Sequence, residues 1–360
     1  MALFESIFDL SYLILVIGFG IRLLMLEDKG AKLFGLMGVL LGAGDAFHLI
    51  PRVISHLSAG GFEANAWALS WGQFVTSISM TIFYLLYYFY YKMQTNKGTR
   101  LKDGLVYVLV ALRIILTVLP QNGWGVMPGN HTFGIIRNIP FAILGILLIV
   151  WSWEERNKEG MKHMATLIFF SFLFYVPVVL WATFVPWVGA FMMPKTVAYL
   201  LLVYVGFRNY NKKFRKSTVL ELSTTSLILG LVGGVFYREF TKVYDFTGVT
   251  YLGKVHGHTL ALGFLSLLML YTIILIKKDD EFTAKLRRPV YFWVSGLLLT
   301  IVMMLIHGMI EVLGGYYGTV PEALISGVAG IGHILLSIGL VWTMILLIKE
   351  ERKEKISIRE

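Results

Sequence analysis

Long apolar runs alternate with short charged bursts along the whole chain. A helix needs ~20 apolar residues to cross a bilayer. Runs near that length fall at about 6–26, 33–54, 69–91, 104–119, 131–153, 162–187, 194–208, 219–237, 253–276, 289–313 and 321–348. The pattern therefore predicts eleven helices, the fourth and seventh being short. The alternation of apolar and polar residues over ~10 positions that marks an outer-membrane strand is missing. The predicted fold class is all-α: a polytopic integral membrane protein with about eleven transmembrane helices.

Composition sharpens this picture. Hydrophobic residues make up 57% of the chain and charged residues 15%, against about 25% charged in soluble domains. A soluble globular domain and a disordered chain are both excluded. Cysteine is absent, which removes disulfides, thiolate metal sites and covalent haem attachment. The formal charge of +10 reads as topology. Of the 32 basic residues, 25 fall in alternate connections and the tail; the other seven are Arg52, Arg113, Arg137, Lys195, Arg238, Lys242 and Lys254. By the positive-inside rule the N-terminus lies outside and the C-terminus in the cytoplasm. No nucleic-acid partner is needed to explain the charge. The first apolar run carries Asp9 and Arg22 and lacks a cleavage site, so it reads as a retained span. The expected location is the bacterial cytoplasmic membrane, with the lipid bilayer as the obligatory partner.

The basic stretch Arg208-Asn-Tyr-Asn-Lys-Lys-Phe-Arg-Lys216 divides the chain. Residues 1–208 form an expected seven-helix module, 209–217 a cytoplasmic linker, 218–350 a four-helix module, and 351–360 a charged cytoplasmic tail. The first module is rich in aromatics, as in Tyr84-Leu85-Leu86-Tyr87-Tyr88-Phe89-Tyr90-Tyr91. The second is rich in small residues and holds four of the eight histidines.

Residues three or four apart share a helix face. The eighth span then presents Ser223, Ser226, Gly230, Gly233 and Tyr237. The ninth presents His256, Thr259, Gly263 and Ser266. The tenth presents Thr300, Met303, His307, Glu311 and Gly314, and the eleventh Ala323, Ser326, Gly330, His333 and Ser337. Small residues on such stripes are explained by close packing. Ionisable groups inside a membrane are costly and mark candidate sites. His256, His307 and His333 sit on three stripes, and imidazoles without cysteine suit haem b, copper or zinc. At 1.5 Å per residue, His256 and His307 lie ~6 Å and ~9 Å inside the outer surface and His333 ~16 Å inside. His258 points about 200° away from His256. Hydrogen-bonded structural histidines and a proton or ion path are the competing explanations.

The run Gly234-Val-Phe-Tyr-Arg238-Glu239-Phe-Thr-Lys242, followed by Thr250, Leu252-Gly253 and Val255-His256-Gly257-His258-Thr259-Leu260-Ala-Leu262-Gly263, resembles an uncharacterised bacterial four-helix membrane-protein family, a domain of unknown function. The resemblance covers about residues 218–350 and implies no particular activity. His256-Gly257 at the start of an out-to-in helix is also similar to the catalytic subunits of haem–copper oxidases and nitric oxide reductases. The adjacent His-His pair of their copper site is absent, which argues against oxygen reduction. Arg238 and Lys242, read as an outer loop with Glu239, Asp245 and Lys254, are candidates to neutralise haem propionates or an anion; a solvated loop with local ion pairs is the competing explanation.

In the second span Asp45, His48 and Arg52 share one helical face. Arg113 sits in the fourth span, and His131, Arg137 and Asn138 in the fifth. The deduced orientation puts all of them in the outer half of the membrane, with more positive than negative charge. An anion, a lipid headgroup or a carboxylate-bearing ligand would suit such a cluster; snorkelling to the surface is the bland alternative. Lys195 lies at the edge of the seventh span, too shallow for a retinal Schiff base. His56 and His163 read as interfacial residues, and Trp67, Trp71, Trp151, Trp153 and Trp187 as aromatic belts.

Three functions remain open. The first is haem or metal binding by the C-terminal histidines, for electron transfer or for handling a small redox-active molecule with a redox partner. The second is transport through the Asp45, His48 and arginine cluster. The third is a membrane zinc hydrolase with Glu311 or Glu239 as general base.

Overall fold

The computed structural model describes residues 2–211, 213–314 and 322–357. Every regular element among the described residues is helical, with no strand. The long helices are α1 (Ala2–Leu24), α2 (Lys29–Leu57), α3 (Ala66–Thr95), α4 (Arg100–Val118), α5 (His131–Glu154), α6 (Met164–Trp181), α7 (Met192–Tyr210), α8 (Lys216–Val243), α9 (Leu252–Lys277), α10 (Arg287–Val312) and α11 (Glu322–Ser357). Among the described residues ten helices are long and apolar enough to cross a bilayer. The one that falls short is α4, which carries Arg100, Lys102, Asp103 and Arg113. The predicted sixth span ends early, at Trp181. A turn and the 3₁₀ segment Pro186–Phe191 follow it and lead into α7. Similarly, α8 outruns its predicted end, so Arg238, Glu239 and Lys242 lie in its last turns and not in a loop. Stacking of Phe240 on Phe236 and Tyr244 holds that extension.

The chain divides into two compact units. One comprises Tyr12–Ser55 and Gly60–Lys212; the other comprises Met1–Ser11, His56–Ala59 and Lys213–Glu360.

In the first unit the tyrosine run of α3 is the axle. Phe83, Tyr84, Tyr87, Tyr88, Tyr90 and Tyr91 are all fully buried. A buried phenol needs a hydrogen-bond partner, and each of these tyrosines finds one outside α3. Tyr84 meets Ser171 of α6 at 3.0 Å and Tyr199 of α7 at 3.3 Å. Tyr87 meets Ser152 of α5 at 2.8 Å, and Tyr88 donates to Asp103 of α4 at 2.8 Å. Tyr90 donates to the Gly160 carbonyl at 3.1 Å, and Lys102 donates to the Tyr91 hydroxyl at 3.1 Å. One helix thereby sets the rotation of four others. Between the α3–α4 and α5–α6 connections, Glu155 is only 5% exposed and clasps Lys97 and, at 2.9 Å, Lys158.

In the second unit α9 is not a uniform α-helix: residues Thr259–Leu265 form a π-helical stretch. A π turn misaligns the backbone ladder, and side chains take up the displaced carbonyls. Ser223 of α8 donates to the Phe264 carbonyl at 2.9 Å, and the Trp293 indole of α10 donates to that of Leu262 at 2.9 Å. Ser266 donates to the Ala261 carbonyl at 2.7 Å. Helices α10 and α11 touch backbone to backbone: a Cβ on Gly332 would lie 2.7 Å from Thr300 Oγ1, and one on Gly296 would lie 2.7 Å from the Gly332 carbonyl. The buried face of α11 is thus Ile325, Gly332, Leu336, Gly339 and Thr343. The stripe expected to pack (Ala323, Ser326, Gly330, His333, Ser337) is displaced from it, and His333 is exposed. The contact is set by which glycines let α10 approach, a choice that polarity alone does not encode.

Two outcomes test these contacts. Gly296→Val should destabilise the four-helix unit by about 1–3 kcal/mol, read as a lower melting temperature, because backbone cannot give way as a side chain can. Hydrogen bonds from Lys97 and Lys158 hold the Glu155 carboxyl below its ordinary range. A depressed carboxylate pKa stabilises the fold above the unfolded value and loses that contribution as pH falls through the folded value. Glu155→Gln should therefore melt below wild type at pH 7, and the gap should close below about pH 4.

Candidate functional site

The first unit holds a cavity of about 440 Å³, within the range of roughly 300–1,000 Å³ usual for ligand sites. It lies among α2–α7 and the connection between α4 and α5. Close packing of α2 on α3 places its first wall. Thr76 of α3 donates to the Gly44 carbonyl at 3.1 Å, and a Cβ on Gly72 would strike the α2 backbone at Phe47 and His48. His48 is held there, its Nδ1 3.4 Å from the Leu69 carbonyl.

Three cations line the cavity: Arg113 of α4, Arg137 of α5 and Lys195 of α7. Arg113 is 2% exposed and Lys195 7%. Asn122 organises the arginine side. Its amide donates to the Leu116 and Leu119 carbonyls at 2.8 Å each, capping the end of α4. Its Oδ1 is thereby turned toward Arg137, which donates from Nη1 at 2.7 Å. The guanidinium of Arg137 lies 4.3 Å from the Trp124 ring centroid, and that of Arg113 5.1 Å from Phe141. Trp124 is itself pinned by donation to the Thr117 carbonyl at 2.8 Å. On the facing side Tyr175 donates to Asn138 Oδ1 at 2.8 Å, and Lys195 Nζ sits 4.5 Å from the Tyr175 ring.

The charge is unbalanced. No Asp or Glu is among the residues that line the cavity. Arg113 Nε and Nη1 and Arg137 Nε are buried without a hydrogen-bond partner among the described residues. Leaving such a donor unmade costs about 1–3 kcal/mol, more for a charged group. Aromatic faces offset part of that cost, but they satisfy no N–H. Gln73, Ser70, Ser77 and His131 add neutral or titratable polar groups to the rim; His131 Nε2 lies 3.2 Å from the Leu180 carbonyl.

Of the residues singled out in the sequence, His48, Arg113, His131 and Arg137 meet at this cavity. Asp45 and Arg52 do not line it. Asp45 instead accepts from Tyr12 at 2.7 Å and reaches Lys195 through its charge. Lys195, set aside as a rim residue, is a wall of the site. Its position after Pro194 in the first turn of α7, just behind a 3₁₀ segment, gives no hint of this.

In the second unit the histidines stand apart in their contacts. His307 stacks on Tyr251 at 4.4 Å and lies 3.7 Å from Glu311. Glu311 in turn accepts from the Tyr251 backbone N–H at 2.7 Å. His256 is exposed and lies against Gly234 of α8. His258 and His333 each bond a carbonyl one turn back, Lys254 at 3.1 Å and Ala329 at 2.9 Å. Arg238 is exposed and pairs with its neighbour Glu239 at 3.6 Å. Among the described residues no group of three or more His, Asp or Glu side chains is placed to hold a metal ion.

Residues 216–350 match the model of a family described as a protein of unknown function, DUF2871. The match runs from the first residue of α8 into α11 and takes in the Tyr-Arg-Glu-Phe-Thr-Lys and His-x-His motifs. No curated protein and no solved structure matches the chain. The cationic cavity lies wholly outside the matched stretch.

If Lys195 serves an anion, Asp45, an acid within its electrostatic reach, should oppose it. Asp45→Asn should tighten anion binding severalfold, read by titration against wild type, while the Tyr12 contact persists through the amide.

Proposed function

We propose that the protein is a multi-pass membrane protein of the bacterial cytoplasmic membrane whose N-terminal unit captures a phosphate- or carboxylate-bearing anion. One observation carries this reading: three cations around a cavity without a lining carboxylate, one of them a buried arginine with two unsatisfied N–H groups. A planar guanidinium with free donors is preorganised for bidentate contact with an oxyanion. The anion would supply the acceptors that the fold withholds, as the solute of a carrier or the signal of a receptor.

The anion site implies a stability signature. Arg113→Gln should weaken binding of inorganic phosphate, sulfate or acetate by about tenfold or more. The same variant without anion should melt no lower than wild type, because it removes an unpaired charge. Melting curves across an anion series measure both. A variant that melts lower without anion and responds to anions as wild type does would refute the proposal.

The topology belongs to the same proposal: eleven spans including α4, the N-terminus outside and the C-terminus in the cytoplasm. The distribution of basic residues supports it, and it sets the α4–α5 connection and the cavity mouth at the outer surface. Reporter fusions at Asn96, Asn157 and Asn211 should read cytoplasmic and one at Asn122 external.

A second reading concerns the C-terminal unit. His256 opens a helix that passes into a π turn, a feature frequent at functional sites. We propose haem b held by His256 and His307 as its cofactor reading. His307 would have to leave Glu311 and Tyr251 to serve. A sharp visible band on reduction, lost in His256→Ala and kept in His258→Ala, would support it; a colourless protein from haem-supplied cells would end it.

A further inference from the structure

A second, smaller cavity of about 100 Å³ adjoins the cationic one. The two share Asn138, Phe141, Tyr175 and Val179 as lining. The smaller is a slot between α5 and α6, and apart from Asn138 and Tyr175 every residue that lines it is apolar. It reaches the outer face of these helices, where Ile139 is 53% exposed and Val176 37%. In a bilayer that face meets acyl chains, not water. Both walls of the slot also carry an internal proline, Pro140 in α5 and Pro177 in α6. Each removes a backbone donor and with it a hydrogen bond of its helix. The two helices are therefore weakened at the level where they border the slot.

From this continuity we infer that the ligand is an amphiphile: an anionic headgroup seated on Arg113 and Arg137, with an acyl chain laid through the α5/α6 slot into the bilayer. The inference rests on the anion-binding reading above and adds the class of ligand and its route. The headgroup brings the oxyanion that the two arginines lack. The chain brings what a water-soluble anion would not, an apolar segment for a slot open to lipid. Entry is sideways, between α5 and α6, so the charged group never crosses free hydrocarbon alone.

The test uses the full chain in phosphatidylcholine nanodiscs and three probes: butyl phosphate, dodecyl phosphate and neutral dodecyl maltoside. Binding is read by quenching of protein tryptophan with brominated versions of each probe. Wild type should bind dodecyl phosphate about tenfold or more tightly than butyl phosphate and should not saturate with dodecyl maltoside. Ala142 lines the slot but not the cationic cavity. Ala142→Phe should fill the slot and erase the advantage of the long chain while leaving butyl phosphate binding intact, which also reports that the variant is folded. Val176→Phe serves the same purpose should Ala142→Phe fail to fold. Arg113→Gln should weaken both phosphates. A long-chain advantage that survives in the slot variants is partition into the bilayer and overturns the inference, as does equal binding of both phosphates or saturable binding of dodecyl maltoside. In those cases butyl phosphate binding still upholds the anion site. Failure of wild type to bind either phosphate overturns both readings together.

Discussion

Inside a bilayer there is no water to satisfy a polar group, so each buried donor needs a partner supplied by the protein. The N-terminal unit obeys this rule closely along α3, where each buried tyrosine of the run meets a partner on another element. It breaks the rule at Arg113. Each buried donor left unmade there costs about 1–3 kcal/mol, more for a charged group. The fold carries that cost by crossing aromatic faces under the cations and by tying Asn122 between the end of α4 and Arg137. The tyrosine axle and the arginine cavity are thus one arrangement: the first fixes helix rotation tightly enough for the second to hold unpaired charge.

The C-terminal unit follows a different logic. Its helices meet through glycine and serine, and the displaced carbonyls of the π stretch in α9 are taken up by Ser223, Trp293 and Ser266. Here polar groups hold a distorted helix in place. His307, Tyr251 and Glu311 form a closed local set at the junction of α9 and α10. The uncharacterised family whose model matches this stretch covers this unit alone, so whatever that family does and whatever the cationic cavity binds are separable questions.

The helices were legible in the sequence because a run of apolar residues has one stable form in lipid, and their positions along the chain follow from it. Rotation about each axis was less so. Arg113 and Arg137 stand out as charges in apolar runs. That they share a cavity depends on the turn after α4, where Asn122 caps that helix and accepts from Arg137. Lys195 looks superficial because hydropathy does not show that the first turn of α7, behind a 3₁₀ segment, is packed against the rest of the unit. On α11 the small stripe through His333 and the packing face through Gly332 are one residue apart. Close approach selects the second for reasons held in the α10 backbone. The π turn has no signature in residue type, since it exists only where neighbours take its carbonyls.

Equilibrium dialysis of radiolabelled phosphate against the purified full chain measures whether Arg113 and its neighbours hold an anion. Saturable binding of one phosphate per chain is expected, lost when Arg113 and Arg137 are both replaced by glutamine. Binding that does not saturate, or that persists undiminished in the double variant, would contradict an anion site there.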